Sequence, residues 1–241
     1  MCGRYVLRKQ LQAEKALQRL GAHKPITLEL PLRYNVAPTQ LMPVVRGGAV
    51  LEVATLKWGH FVSFAPGGKP TFLVNARSES AATKPTFKQA IAERRCVVPA
   101  DGFYEWKRSD GGKTKVPFLI QMKDERTFWI AGVFWPDQVD QPANYLLLTT
   151  TPNAVMSPIH DRMPVILTDE AAQEWLTPGP LSSDRLAALC APHPADEMFA
   201  TQVSAIVNTA ANDVAECVMP VLASEPLHPT PPASTQLGLD F

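Results

Sequence analysis

Cysteine is scarce in this sequence, and its four copies, Cys2, Cys96, Cys190 and Cys217, stand far apart. There is no C-x-x-C pair and no dense cysteine spacing, which argues against a disulfide framework and a structural zinc site. Free thiols in a reducing cytoplasm are expected, and no motif calls for a metal or a cofactor. No run approaches the ~20 apolar residues that a membrane span needs. Arg4 falls where a secretory leader would be building its apolar stretch, so neither membrane insertion nor export is expected. Net charge is absent too, since 23 Lys+Arg balance 23 Asp+Glu. Taken alone, that balance argues against a nucleic-acid partner.

The distribution of charge says otherwise. Residues 1–126 carry 21 Lys+Arg against 10 Asp+Glu, a surplus of 11, whereas residues 127–241 carry 2 against 13, a deficit of 11. Such asymmetry is consistent with a basic face for an anionic polymer, and equally with two halves that pair with each other. The 46% apolar and 19% charged content is ordinary for a globular chain, and 241 residues suffice for a sizeable core.

Leu7 to Leu20 has apolar residues at 7, 11, 17 and 20 among polar ones, which predicts a surface helix ended by Gly21. Short apolar or alternating stretches follow at 41–46, 49–58, 71–75, 96–100, 103–107, 117–122, 127–134, 144–150 and 164–167, and read as strands. Ser109-Asp110-Gly111-Gly112 is a turn signal between two of them. Helices are expected after Pro85, after a capping Thr168, and near Ser183. The count predicts an α+β fold: a single β-rich domain over residues 1–222, with a distorted barrel-like sheet core and peripheral helices. Residues 223–241 hold four prolines and no periodicity, which predicts a disordered tail.

Cys2 follows Met1, and because cysteine is small, removal of Met1 is expected. The chain would then begin with a 1,2-aminothiol. Reference pKa values of ~8.5 for a thiol and ~7.7–8.0 for a terminal amine leave both groups partly deprotonated near neutral pH. An amine of that kind condenses with an aldehyde, and the adjacent thiolate can close a five-membered thiazolidine, effectively as a unimolecular step. Two other readings of Cys2 stand beside this one. It can be a small buried residue at a strand start. It can also be the nucleophile of an N-terminal-nucleophile hydrolase, since Met-Cys-Gly also resembles the opening of glutamine amidotransferases of that class.

Five segments in order decide between them: Met1-Cys2-Gly3-Arg4-Tyr5, Arg33-Tyr34-Asn35-Val36-Ala37-Pro38-Thr39, Asn75-Ala76-Arg77-Ser78-Glu79-Ser80, Gly102-Phe103-Tyr104-Glu105-Trp106-Lys107 and His160-Asp161-Arg162-Met163-Pro164. Together they resemble the SRAP family, the SOS-response-associated peptidases or abasic-site processing proteins, from residue 1 to about 222. The resemblance implies a DNA-repair protein that bonds Cys2 covalently to abasic sites in single-stranded DNA, with junctions between single and double strands a candidate setting. It also implies self-removal of Met1, slow crosslink reversal or strand cleavage, and a place in the cytoplasm at damaged DNA of the nucleoid. A monomer is expected. A non-catalytic single-strand binding module is the remaining alternative.

By the same resemblance Asn75, Glu105 and His160 line the aldehyde pocket. His160 suits a proton donor to the ring oxygen of the closed sugar, Glu105 a proton shuttle whose pKa desolvation raises, and Asn75 a donor and acceptor for the sugar or the Cys2 amine. Arg4, Arg77 and Arg162 are expected at phosphates, where the guanidinium fork fits; their alternative is pairing with Asp101, Asp161 or Glu79. One departure stands out: after Trp58-Gly59 the chain reads His60-Phe61-Val62-Ser63-Phe64, so Phe64 replaces the family's tryptophan, and glycines follow at 67 and 68. Phe64 remains a candidate DNA-binding residue, and because base stacking is lost where the family carries aromatics, weaker DNA affinity or junction preference is expected.

The last six residues, Gln236-Leu237-Gly238-Leu239-Asp240-Phe241, resemble the short peptides by which bacterial repair proteins hold the replication sliding clamp. In that reading Gln236 fixes orientation, and Leu239 and Phe241 anchor in an apolar pocket. The Pro-rich stretch before them serves as spacer.

Overall fold

The computed structural model describes residues 2–22, 30–64, 68–109, 111, 113–137, 139 and 141–221. The chain opens with β1 (Arg4–Leu7), α1 (Gln10–Leu20), β2 (Arg33–Val36), β3 (Leu41–Arg46) and β4 (Glu52–Trp58). Next come β5 (His60–Val62), β6 (Thr71–Leu73), β7 (Asn75–Arg77), α2 (Ser78–Ala81), α3 (Pro85–Glu93), β8 (Arg95–Ala100) and β9 (Gly102–Ser109). The rest is β10 (Thr114–Met122), β11 (Phe128–Trp135), β12 (Asn144–Thr150), β13 (Met163–Pro164), β14 (Ile166–Leu167), α4 (Asp169–Leu176), α5 (Ser183–Leu189) and β15 (Met198–Gln202).

The expected distorted barrel is present. Strands run β12-β4-β3-β8-β11, and β11 pairs back with β12, so these five close on themselves. The closing step is a parallel one, Asn144↔Lys57 and Tyr145↔Trp58. Every residue of β8 and of β12 is buried, which is why these strands read as apolar runs rather than as alternation. A second sheet, β15-β10-β9-β1-β2, lies beside the barrel. Tyr5 of β1 ties the two together, its hydroxyl 3.0 Å from that of Tyr145 and its ring centroid 5.3 Å from that of Trp58.

All four expected helices are present, with Pro85 opening α3. Gly21 ends α1 in the left-handed region at φ 74°, Thr168 caps α4 by accepting from Ala171 N, and Ser182 caps α5. The start of the first helix differs. Leu7 belongs to β1, because Asp101 Oδ2 accepts the backbone N–H groups of Arg8 (2.6 Å) and Lys9 (2.7 Å) and turns the chain there before α1 begins. Arg95 is buried, and its guanidinium satisfies carbonyls at the end of α4, including Trp175 and Thr177.

The two oppositely charged halves do pair in part. Arg19 with Asp169, Arg33 with Asp213, and Arg126 with Glu197 each join a first-half arginine to a second-half carboxylate. Among the described residues no helix is long and apolar enough to cross a membrane. The tail with Gln236, Leu239 and Phe241 lies outside the described residues.

Candidate active site

The second sheet delivers the amino-terminal segment to the barrel. β1 pairs antiparallel with β9 and the pairing stops at Arg4↔Tyr104, so the residues before Arg4 run on toward Glu105, the next residue of β9. On the barrel side β7 lies parallel to β12, with Asn75 opposite Leu147 and Arg77 opposite Thr149. The two sheets meet at Cys2. Asn75 Nδ2 donates to the Cys2 carbonyl oxygen at 2.7 Å, and the Cys2 thiol lies 3.8 Å from the Arg4 carbonyl. Cys2 is fully buried. Burial pushes its thiol well above the ordinary range, and the neighbouring Glu105 carboxylate pushes it further.

Glu105 is itself 2% exposed, and burial pushes its carboxyl up to about 7. His160 reaches the site from a loop that Asn153 shapes, with Asn153 Oδ1 accepting from Val155 N and Met156 N, and His160 N bonding to Met156 O at 2.9 Å. Burial lowers the imidazole pKa, and the charge of Arg108 lowers it further. Two groups contact Nδ1: the Arg162 backbone N–H at 3.0 Å and Asp161 Oδ1 at 2.9 Å. An N–H donated to Nδ1 requires the neutral tautomer with its proton on Nε2, whereas Asp161 is matched to the protonated ring. The lowered pKa favours the former near neutral pH.

Glu105 and His160 share a cavity of about 460 Å³ with Trp106, Arg108, Lys115 and Asn208. The structure therefore brings Cys2, Asn75 and Glu105 together and sets His160 across the same cavity as Glu105. Among the described residues no group of three or more His, Cys, Asp or Glu side chains is arranged to hold a metal ion.

The four residues expected at DNA separate into two kinds. Arg77 is exposed, at the end of β7 two residues from Asn75. Phe64 is 61% exposed, two residues past β5 in the connection to β6, where Phe61 of β5 packs on Phe72 of β6 with ring centroids 5.0 Å apart. The β5–β6 pair closes over Gly59, where a Cβ would lie 2.2 Å from the Phe72 ring. Arg162 and Arg4 are engaged within the fold. Arg162 is buried, with its fork on Glu79 at 2.6 and 2.8 Å and a further bond to Thr149 O at 2.6 Å. Arg4 bonds Asn35 Oδ1 and Val207 O, each at 2.8 Å, and Asn208 O at 3.2 Å. Asn35 in turn ties down the carbonyls of Val207, Thr209 and Asn212. The Arg33-Tyr34-Asn35 segment is thus scaffold for the loop that carries Asn208.

Arg108, Lys115 and Asn208 were not singled out from sequence. Alternation along β9 puts Trp106 and Arg108 on one face, and Trp106 Nε1 donates to Asn208 Oδ1 at 2.7 Å. Period two after Tyr104 was the available signal for Arg108; nothing local marks Asn208.

The family model for SOS response associated peptidases (SRAP) matches residues 1–210. The chain is 38% identical over 223 residues to the abasic site processing protein YoqW of Bacillus subtilis (strain 168), covering 90% of this chain and 99% of that protein. It is 32% identical over 231 residues to the abasic site processing protein YedK of Escherichia coli (strain K12), covering 92% and 100%. The crystal structure of a protein from Bacteroides thetaiotaomicron superimposes with a TM-score of 0.73 at 26% identity, over 92% of this chain and 100% of that one. A family match over most of the chain, relatives aligned almost end to end, and the same fold in a solved structure agree: the chain belongs to the SOS response associated peptidase (SRAP) family.

Proposed function

We propose that this protein senses abasic sites in single-stranded DNA and bonds to them covalently through Cys2 once Met1 has been removed. The observation that carries the reading is the grouping of Asn75 and Glu105 about residue 2, with His160 facing the same cavity as Glu105. The names of the relatives, abasic site processing proteins, support the substrate.

Hydrolysis of the Met1–Cys2 peptide frees the Cys2 amine. An abasic sugar is mostly a closed hemiacetal, so ring opening needs a proton given to the ring oxygen and another taken from the C1 hydroxyl. Sequence alone favoured His160 as the donor. With the Glu105 carboxyl up at about 7 and the imidazole lowered toward its neutral form, we assign the donor role to Glu105 and the acceptor role to His160. The Cys2 amine then adds to the aldehyde carbon and one water leaves, giving an imine. The sulfur adds to that carbon while its proton passes to the nitrogen, closing the thiazolidine. Asn75 holds the Cys2 carbonyl during these steps. At the imine stage, loss of the 3′ phosphate by elimination gives strand cleavage, and return of water gives reversal; both are lesser outcomes of the same intermediate.

Intact mass spectrometry tests the chemistry. The expected adduct has the mass of protein without Met1 plus DNA, less one water. An adduct that retains Met1, or none, contradicts it. A second element rests on the tail: Gln236, Leu239 and Phe241 dock on the replication sliding clamp and bring the domain to exposed single strands.

A further inference from the structure

At least half of the twelve arginines in this chain are matched by a carboxylate. Arg19, Arg33, Arg46, Arg126, Arg162 and Arg185 each face a carboxylate. Arg108 and Lys115 are the contrast. They are exposed, and they stand directly opposite each other in the β9–β10 ladder, Lys115↔Arg108. Among the described residues neither side chain makes a hydrogen bond or ion pair. Like charges placed directly opposite in an antiparallel pair are destabilising, so stability does not explain this arrangement. Both side chains line the cavity that holds Glu105 and His160, and Lys107 and Lys113 add further positive charge to the same hairpin.

We infer that the Arg108–Lys115 pair is a seat for one backbone phosphate next to the lesion. A phosphate between the two cations turns a repulsive pair into two charge-assisted bonds, and it would sit within the cavity where the sugar reacts. Arg77 stands on the barrel side and Arg108–Lys115 on the second sheet, so the strand is gripped from both. This inference rests on the reading of the protein as one that acts on single-stranded DNA.

The test uses the full chain and an oligonucleotide carrying a tetrahydrofuran in place of the abasic sugar, which has no aldehyde and cannot crosslink. Affinity is measured across salt concentrations for the wild type, Arg108→Gln and Lys115→Gln. Each variant is expected to reduce the slope of log K against log salt by about 0.7, the value for one single-strand phosphate contact. Melting temperatures should not fall, because the substitutions relieve repulsion. A single methylphosphonate next to the lesion should weaken wild-type binding at least as much as Lys115→Gln does, and should weaken that variant less than it weakens the wild type. Unchanged slopes in both variants overturn the site, and so do reduced slopes with no single methylphosphonate equivalent. An aldehyde substrate run in parallel separates the two readings. Failure to form an adduct there, with the slopes still responding to Arg108 and Lys115, refutes the crosslinking chemistry alone.

Discussion

Asn75 holds residue 2 by its carbonyl: its side-chain nitrogen donates to the Cys2 oxygen at 2.7 Å, while its own Oδ1 is buried with no donor among the described residues. One end of the amide therefore fixes residue 2, the nucleophile of the proposed reaction, and in that proposal the other accepts a hydrogen of the sugar or of the freed amine. Asn75→Ala leaves the Cys2 carbonyl buried and unpaired, at a cost of about 1–3 kcal/mol. Single-turnover adduct formation should slow roughly 10–100-fold, since 1.4 kcal/mol is tenfold. Asn75→Asp, which faces a carbonyl oxygen with a carboxylate, should be at least as slow. A wild-type rate in both variants removes Asn75 from the mechanism.

Glu105 carries its own pH signature. Its carboxyl rises from the ordinary 4.5 to about 7 through burial. Below pH 4.5 it is protonated in both the folded and unfolded chain and has no effect on stability. As pH rises from there through 7, the unfolded chain ionises first and the buried group is increasingly unfavourable. Glu105→Gln should therefore raise the melting temperature relative to wild type, with the gap widening between pH 5 and 8. The same variant should lose about 10²–10⁴ in adduct rate, the range for an acid–base group. A gap that shrinks with rising pH contradicts the assignment.

Arg77 and Arg162, which look alike in sequence, should behave differently. Arg77→Ala removes an exposed cation and should flatten the single-strand salt slope by about 0.7. Arg162→Ala breaks the bonds to Glu79 and Thr149 O and should cost about 1–3 kcal/mol in thermal or urea unfolding. Loss of stability in Arg77→Ala with none in Arg162→Ala would reverse these roles.

This pair also shows where sequence reading stops. Strands such as β8 and β12 were legible because full burial on both faces leaves a central apolar run. β1 was missed because four residues are too few to show alternation and Leu7 also fits the helical period that follows. β15 was missed for a similar reason: in Met198–Gln202 apolar and polar residues do not alternate cleanly. Barrel closure by β4 against β12 is a long-range parallel pairing with no local mark. Cys2, Asn75, Glu105 and His160 were found through motif order, since nothing within any one segment says that they meet. Arg162 is held on Glu79, and a motif alone does not tell an arginine engaged within the fold from one left exposed, as Arg77 is.

The tail can be tested apart from the catalytic domain. A peptide of residues 226–241 should bind the purified sliding clamp, and the same peptide with Leu239→Ala and Phe241→Ala should not, because two apolar anchors carry most of such an interaction. No binding by the parent peptide, or equal binding by both, removes the clamp from the account without touching the chemistry at Cys2.

The central claim is a covalent bond made by the residue that follows Met1. The direct measurement is a denaturing gel of the purified protein after incubation with single-stranded DNA bearing one abasic site. A heat-stable shifted band is expected with the wild type on damaged DNA and not on intact DNA, and Cys2→Ala or a chain whose Met1 cannot be removed should give none. A full-strength band from Cys2→Ala would contradict the account.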